Sequence, residues 1–211
     1  MGDTRGSYFD VFDVYLPVAL AVFVLVCGFI ALAVWRGRRR TAEPSRRRDH
    51  HVLEGAYVVV LVLVTAGLLG LTLTVQDRIA EAPASGPAEQ VRVVAAKWHW
   101  RFEYPRYRIV QQGTDDRPAE LVVPRDTPID FRGRSLDVIH SFWVPQARFQ
   151  RELFNDRVSG WRLAFSRDTD GGMAPCAFYC GLGHRTMRFR VTVLEPAGFR
   201  AWVARRRSEA R

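Results

Sequence analysis

Histidine is scarce in this chain: there are five in 211 residues, and none lies in a C-x-x-C-H run. A covalently attached haem is therefore excluded, and too few imidazoles remain for a haem together with a histidine-rich metal cluster. Lysine is nearly missing, with Lys97 alone beside thirty arginines, a skew expected of genome composition. Internal repeats and low-complexity tracts are absent. Only three cysteines occur. Cys27 falls inside an apolar run, where it packs as a small apolar residue, so Cys176 and Cys180 are the one pair left for chemistry.

Charge is absent from two long stretches. Val14 to Trp35 and Ala56 to Val75 hold 22 and 20 residues without a charged side chain. About 20 apolar residues cross a bilayer as a helix, so both read as transmembrane helices in contact with lipid. The segment before the first, residues 1–13, carries three Asp and one Arg and lacks the basic start of a cleaved signal. Between the runs, residues 36–55 include seven arginines from Arg36 to Arg48. Short arginine-rich loops stay in the cytoplasm, which puts both termini and everything after Val75 outside the plasma membrane of a prokaryote. Residues 77–211 carry 23 basic and 16 acidic side chains, so the exported part is itself basic. Its charges are scattered along the chain and no recognition motif accompanies them, which argues against a nucleic-acid partner.

Residues 76–90 have the Ala/Pro/Gly/Glu composition of a linker. From Val91 to Pro196 the pattern changes to short alternating segments. "VRVVAAKWHWRFEY" reads as one half-buried strand with Trp98, Trp100, Phe102 and Tyr104 on a common face. "AELVVP", "PIDFRG", "LDVIHSFWVP", "VSGWRLAF" and "MRFRVTVL" read likewise, with "GTDDRP", "RDT" and "DTDGG" as turns. The expected architecture is a two-helix transmembrane hairpin followed by an all-β sandwich or barrel over 91–196, with a basic tail at 197–211.

"CAFYCGLGHRTM", residues 176–187, concentrates soft-metal donors. A disulfide is the default for two cysteines in an oxidising compartment, and a zinc ion could take Cys176, Cys180, His184 and the upstream His140. Zinc would leave Met187 idle, whereas mononuclear copper uses one Cys, two His and a weak axial Met, which leaves Cys176 over. Two thiolates on one loop can instead bridge two copper ions. Each ion then has one imidazole, with Met187 and a loop carbonyl, that of Phe178, as weak axial donors.

At these residues the chain resembles subunit II of the haem-copper oxidases that accept electrons from cytochrome c. The resemblance covers two spans, a W-x-W strand, "DVIHSFWVP" and C-x-x-x-C-x-x-x-H-x-x-M. It implies a cupredoxin-like fold and a dinuclear CuA centre of two copper ions. Cys176 and Cys180 would bridge them, with His140, His184, Met187 and the Phe178 carbonyl as terminal ligands. It further implies that Trp98 receives electrons from docked cytochrome c and that Asp137 lies near the copper or the docking surface. Glu54 would mark the mouth of a proton-uptake path. Oxidase subunits I and III are the implied partners, and haem and the oxygen chemistry would belong to subunit I.

Two departures are visible. Phe178 stands where many members place a Glu that binds an interfacial magnesium ion, so that magnesium site is expected to be absent or rebuilt. Relatives usually present an acidic surface to a basic cytochrome, whereas this domain is basic, so the expected donor is acidic, membrane-tethered or fused. Two other functions stay open: the CuA subunit of a nitric oxide reductase, and a membrane protein for copper delivery or sensing.

Overall fold

The computed structural model describes residues 4–39, 50–81, 88–114 and 116–209. The chain divides into two units, a helical one at Gly6–Ala82 and a β unit from Pro83 to the C-terminus.

The helical unit holds α1 (Thr4–Arg39) and α2 (His51–Glu81). Their stretches Tyr8–Arg38 and His51–Gln76 are long and apolar enough to cross a membrane. Both helices outrun the expected spans 14–35 and 56–75, because the charged residues that end an apolar run are ordinary helix residues and do not end the hydrogen-bond ladder. Residues 4–13 and 76–81, expected as an outer segment and the start of a linker, are thus helical. Most of the arginine-rich loop (40–49) and residues 82–87 of the linker lie outside the described residues. Phe23, Leu25, Phe29, Val62 and Leu63 are exposed along the helices, as lipid-facing side chains would be. One polar clasp joins the pair: the Tyr15 hydroxyl donates to the Leu68 carbonyl at 2.9 Å and lies 2.6 Å from Thr72 Oγ1. Where water is absent, such side-chain bonds hold helices together.

The β unit contains β1 (Glu89–Ala96), β2 (His99–Tyr104), β3 (Ile109–Gln112), β4 (Ala119–Pro124), β5 (Ile129–Ser135), β6 (His140–Val144), β7 (Phe149–Leu153), β8 (Ser159–Leu163), β9 (Met173–Pro175) and β10 (Arg188–Leu194). They form a five-stranded sheet in the order β3-β2-β1-β5-β8, a three-stranded sheet β4-β10-β9 and the pair β6-β7. Inward side chains from these sheets make one aromatic core. Phe142 stacks on Phe189 at 5.0 Å between ring centroids, Phe131 stacks on Trp161 at 5.2 Å, and Trp100 meets Phe189 edge-on at 5.2 Å. Each such pair adds roughly 0.5–1.5 kcal/mol to the burial of its rings.

Two features differ from the sequence reading. The single strand expected over 91–104 is a hairpin: β1 and β2 pair antiparallel up to Ala96↔His99, and Lys97 and Trp98 form the turn. Trp98 therefore leaves the face shared by Trp100, Phe102 and Tyr104 and sits half-buried at the hairpin tip. The expected basic tail is mostly helix α3 (Pro196–Glu209), whose Phe199, Trp202 and Val203 are buried in the core. Their i, i+3, i+4 spacing gives that helix one apolar stripe, and Pro196 suits its first turn.

Candidate metal centre

The loop from Cys176 to Met187 joins β9 to β10, whose antiparallel ladder ends at Arg188↔Pro175. One further bond, from the Cys176 N–H to the Met187 carbonyl at 2.9 Å, closes the base of the loop and sets its first and last donor residues side by side. A bridge between Phe142 and Cys176 lays the loop against β6. That contact brings in His140, 36 residues upstream in sequence.

The potential ligand atoms of His140, Cys176 and Cys180 all lie within 4.8 Å of one another, and all three residues are buried. Each sulfur has its own neighbours. Cys176 Sγ is 3.8 Å from His140 Nδ1 and 3.3 Å from the Phe178 carbonyl oxygen. Cys180 Sγ is 3.6 Å from His184 Nδ1 and 3.9 Å from Met187 Sδ. Both cysteines are free thiols. Two thiols, two imidazoles, a thioether and a carbonyl around one buried locus fit a soft, thiophilic metal.

The electrostatics favour cation capture. Burial works against ionisation of Cys176, but its contact with His140 and the Ser141 N–H (3.5 Å) outweigh burial and set the thiol below its ordinary value. Burial likewise works against a charged His140, and Cys176 with Asp137 overcomes it, so the imidazole is raised. Burial and the neighbouring Cys176 charge push the Cys180 thiol up to about 12. One sulfur thus ionises readily and the second needs a cation, as expected of two acids that share one site.

Asp137 supports this arrangement from outside it. Its Oδ1 accepts from His140 Nε2 at 2.8 Å, which leaves Nδ1 directed at Cys176. The same carboxylate accepts the Val138 N–H at 2.7 Å and the Lys97 N–H at 2.7 Å. Carboxylates in this relation fix the ring and tautomer of a metal-binding histidine. Here the carboxylate also ties that histidine to the β1–β2 turn.

Trp98, next in that turn, donates its indole N–H to the Cys180 carbonyl at 3.1 Å. Its ring lies on the backbone of Gly183, where a Cβ would come within 2.4 Å of Trp98 Cδ2. Gly181, at φ +110°, adopts a backbone conformation open mainly to glycine and would bring a Cβ within 3.4 Å of the same ring. This glycine floor is absent from the sequence reading, although "CGLGH" carries a signal for it in two glycines between a candidate Cys and a candidate His. The Phe178 ring is exposed, as are Tyr179 and Leu182. Glu54 belongs to the helical unit. It lies exposed in the first turn of α2, accepts the His50 N–H at 3.3 Å and has His51 Nδ1 at 3.8 Å, which makes it a helix-start partner.

Two helices of membrane-spanning length followed by a cupredoxin-like β unit with a buried cluster of potential metal ligands define the class of protein. No family model matches the chain. Cytochrome c oxidase subunit 2 of Bacillus sp. (strain PS3) is 30% identical over 79% of this chain and 49% of its own length. The protein of the same name from Mycobacterium bovis is 25% identical over 89% of this chain and 68% of its own length. The chain thus spans about half of the first relative and about two thirds of the second. Among solved structures, the periplasmic domain of subunit II of cytochrome oxidase from Bradyrhizobium japonicum has the same fold. It has a TM-score of 0.51 and 22% identity, and the match covers 59% of this chain and 97% of that domain. Over most of its own length the chain is thus similar to cytochrome c oxidase subunit II proteins.

Proposed function

We propose that this chain is the electron-receiving subunit of a cytochrome c oxidase, taking electrons from a cytochrome c at a dinuclear CuA copper centre and passing them to haem in subunit I for reduction of oxygen to water. The observation that carries this reading is the meeting of Cys176, Cys180, His140, His184, Met187 and the Phe178 carbonyl at one locus. When bound, the copper pair supplies one-electron redox chemistry in which each bond changes little.

The residues of the chain do the rest. Cys176 and Cys180 supply two thiolates from one short loop, and His140 and His184 supply one imidazole each. Met187 and the Phe178 carbonyl serve as weak donors. Asp137 holds the His140 ring through Nε2, and the buried Trp100, Phe142 and Phe189 exclude water behind the site. A rigid, dry pocket resists rearrangement when charge changes. Trp98 offers a half-exposed aromatic surface one hydrogen bond from Cys180, which suits it to receive electrons.

The arginine-rich loop sets the β unit outside the plasma membrane and both termini with it. Subunit III is the further partner in the assembly. Phe178 offers no carboxylate for an interfacial magnesium ion. The test is paramagnetic resonance on the copper-loaded full chain. Two copper ions per chain sharing one unpaired electron support the reading, and a mononuclear copper spectrum would overturn it.

A further inference from the structure

The outer face of the five-stranded sheet is basic, and the Trp98 turn closes one end of it. Strand alternation turns Arg92 of β1, Arg101 of β2, Arg132 and Arg134 of β5 and Arg162 of β8 outward, with Glu103 and Asp130 among them. The two acids are taken: Glu103 pairs with Arg101 at 2.6 Å and Asp130 with Arg162. Among the described residues, no ion pair reaches Arg92, Arg132 or Arg134.

Their placement is costly for a face that meets only water. Arg92 has Glu103, held by Arg101, as its partner on one side and Arg132 as its direct partner on the other, and Val94 is flanked by Arg101 and Arg134. Like charges set opposite each other on adjacent strands destabilise a sheet. Arg92 and Arg132 both line two shallow depressions, of about 410 and 360 Å³, and Gly160 leaves one of them without a side chain on its floor. Guanidinium groups around such openings suit carboxylates, which they bind in bidentate pairs. At about 3.3 Å per residue, the Arg101–Arg134 row lies roughly 7 Å, and the Arg92–Arg132 row roughly 13 Å, from the pair that closes the Trp98 turn.

We infer that this face is the docking surface for an electron donor with an acidic surface. Its carboxylates seat on Arg92, Arg132 and Arg134 and its redox group overhangs Trp98. The inference rests on the electron-receiving role proposed above. A donor protein is favoured over anionic lipid because the basic rows run up to the half-exposed indole that is bonded to Cys180.

The test is stopped-flow reduction of the copper-loaded full chain by an acidic and by a basic haem protein across a range of ionic strength. R92E/R132E/R134E is compared with R190E/R200E/R207E, which reverses three exposed arginines elsewhere. At low salt the face variant should react with the acidic donor roughly tenfold or more slowly, with a flattened salt dependence, and faster with the basic donor. The control variant should change less than about threefold. R92Q/R132Q/R134Q should give an intermediate loss and covers the case in which triple reversal fails to fold. A small neutral reductant should reduce all variants at one rate, which shows an intact centre. Equal loss in face and control variants, no loss in the face variants, or a basic donor reacting faster than an acidic one with the unaltered chain would overturn the inference. So would unchanged donor rates with loss of binding to anionic vesicles, which would assign the face to lipid. If the small reductant finds no reducible copper in the unaltered chain, the electron-receiving role itself fails, and this inference with it.

Discussion

Adding one methyl group at Gly183 should displace Trp98. An alanine Cβ there would stand 2.4, 2.6 and 2.7 Å from Trp98 Cδ2, Cγ and Cε3. Carbon atoms settle at about 3.5–4.0 Å, so the indole must withdraw by about 1 Å. The loop backbone has little room to yield, because the His184 N–H is bonded to the Gly181 carbonyl and the Met187 N–H to that of Gly183. The movement breaks the 3.1 Å bond from Trp98 Nε1 to Cys180. Overpacking costs about 1–3 kcal/mol and a lost hydrogen bond about 1 kcal/mol, which together make roughly 2–4 kcal/mol. In a β unit of this size that lowers Tm by roughly 10 °C. The assay is thermal unfolding of the metal-free full chain, followed by near-ultraviolet circular dichroism, in a double-mutant cycle. With Trp98→Ala already in place, the three atoms nearest the new methyl group are gone, and Gly183→Ala should then cost less than about 0.5 kcal/mol. Equal costs in both backgrounds would refute the packing argument.

Asp137→Asn should weaken metal binding by roughly 10- to 100-fold, measured by competition with a chelator, because His140 loses its orienting carboxylate. Burial alone would raise the Asp137 carboxyl, but hydrogen bonds from Lys97, His140 and Val138 hold it below its ordinary value. Its contribution to stability is therefore complete above the unfolded value near 4 and is lost as pH falls through the folded value. The stability gap between the metal-free wild type and Asp137→Asn should close as the pH is lowered, and a gap independent of pH would count against this account. If the chain holds the proposed copper pair, Cys176→Ser or Cys180→Ser should reduce bound copper from two ions per chain to one or none by elemental analysis. Tyr104→Phe should cost about 1–3 kcal/mol in denaturant unfolding, since the buried hydroxyl donates to the Val122 carbonyl at 2.9 Å and accepts from its N–H at 2.8 Å. Glu54→Gln should slow oxygen turnover without altering the copper spectrum if Glu54 lies on a proton path, and unchanged turnover would leave it only its role at the start of α2.

The two membrane-length helices were legible because no charged side chain interrupts their central runs, and the donor set was legible because C-x-x-x-C-x-x-x-H-x-x-M packs three kinds of soft ligand into one segment. The β1–β2 hairpin was not. Inward residues are Val91, Val93 and Ala95 before the turn and Trp100, Phe102 and Tyr104 after it, so the alternation changes parity. Val94 and Ala96, being apolar too, blur the change, and "KW" lacks the Asn-Gly or Gly residues that usually announce a two-residue turn. Helix α3 was legible in principle, since Phe199, Trp202 and Val203 keep helical spacing, but the seven arginines and alanines around them give the segment the look of a solvated tail.

By itself the sequence determined which side chains meet lipid and which donors share the Cys176–Met187 loop, because both depend on composition and short spacing. Only the tertiary structure decided that His140 reaches that loop through the Phe142–Cys176 bridge, that Asp137 fastens His140 to the Trp98 turn, and that arginines from two strands line up beside it. Those relations depend on strand order and register. Many distant pairings, summed over the whole core, fix register, and no local run of residues carries it.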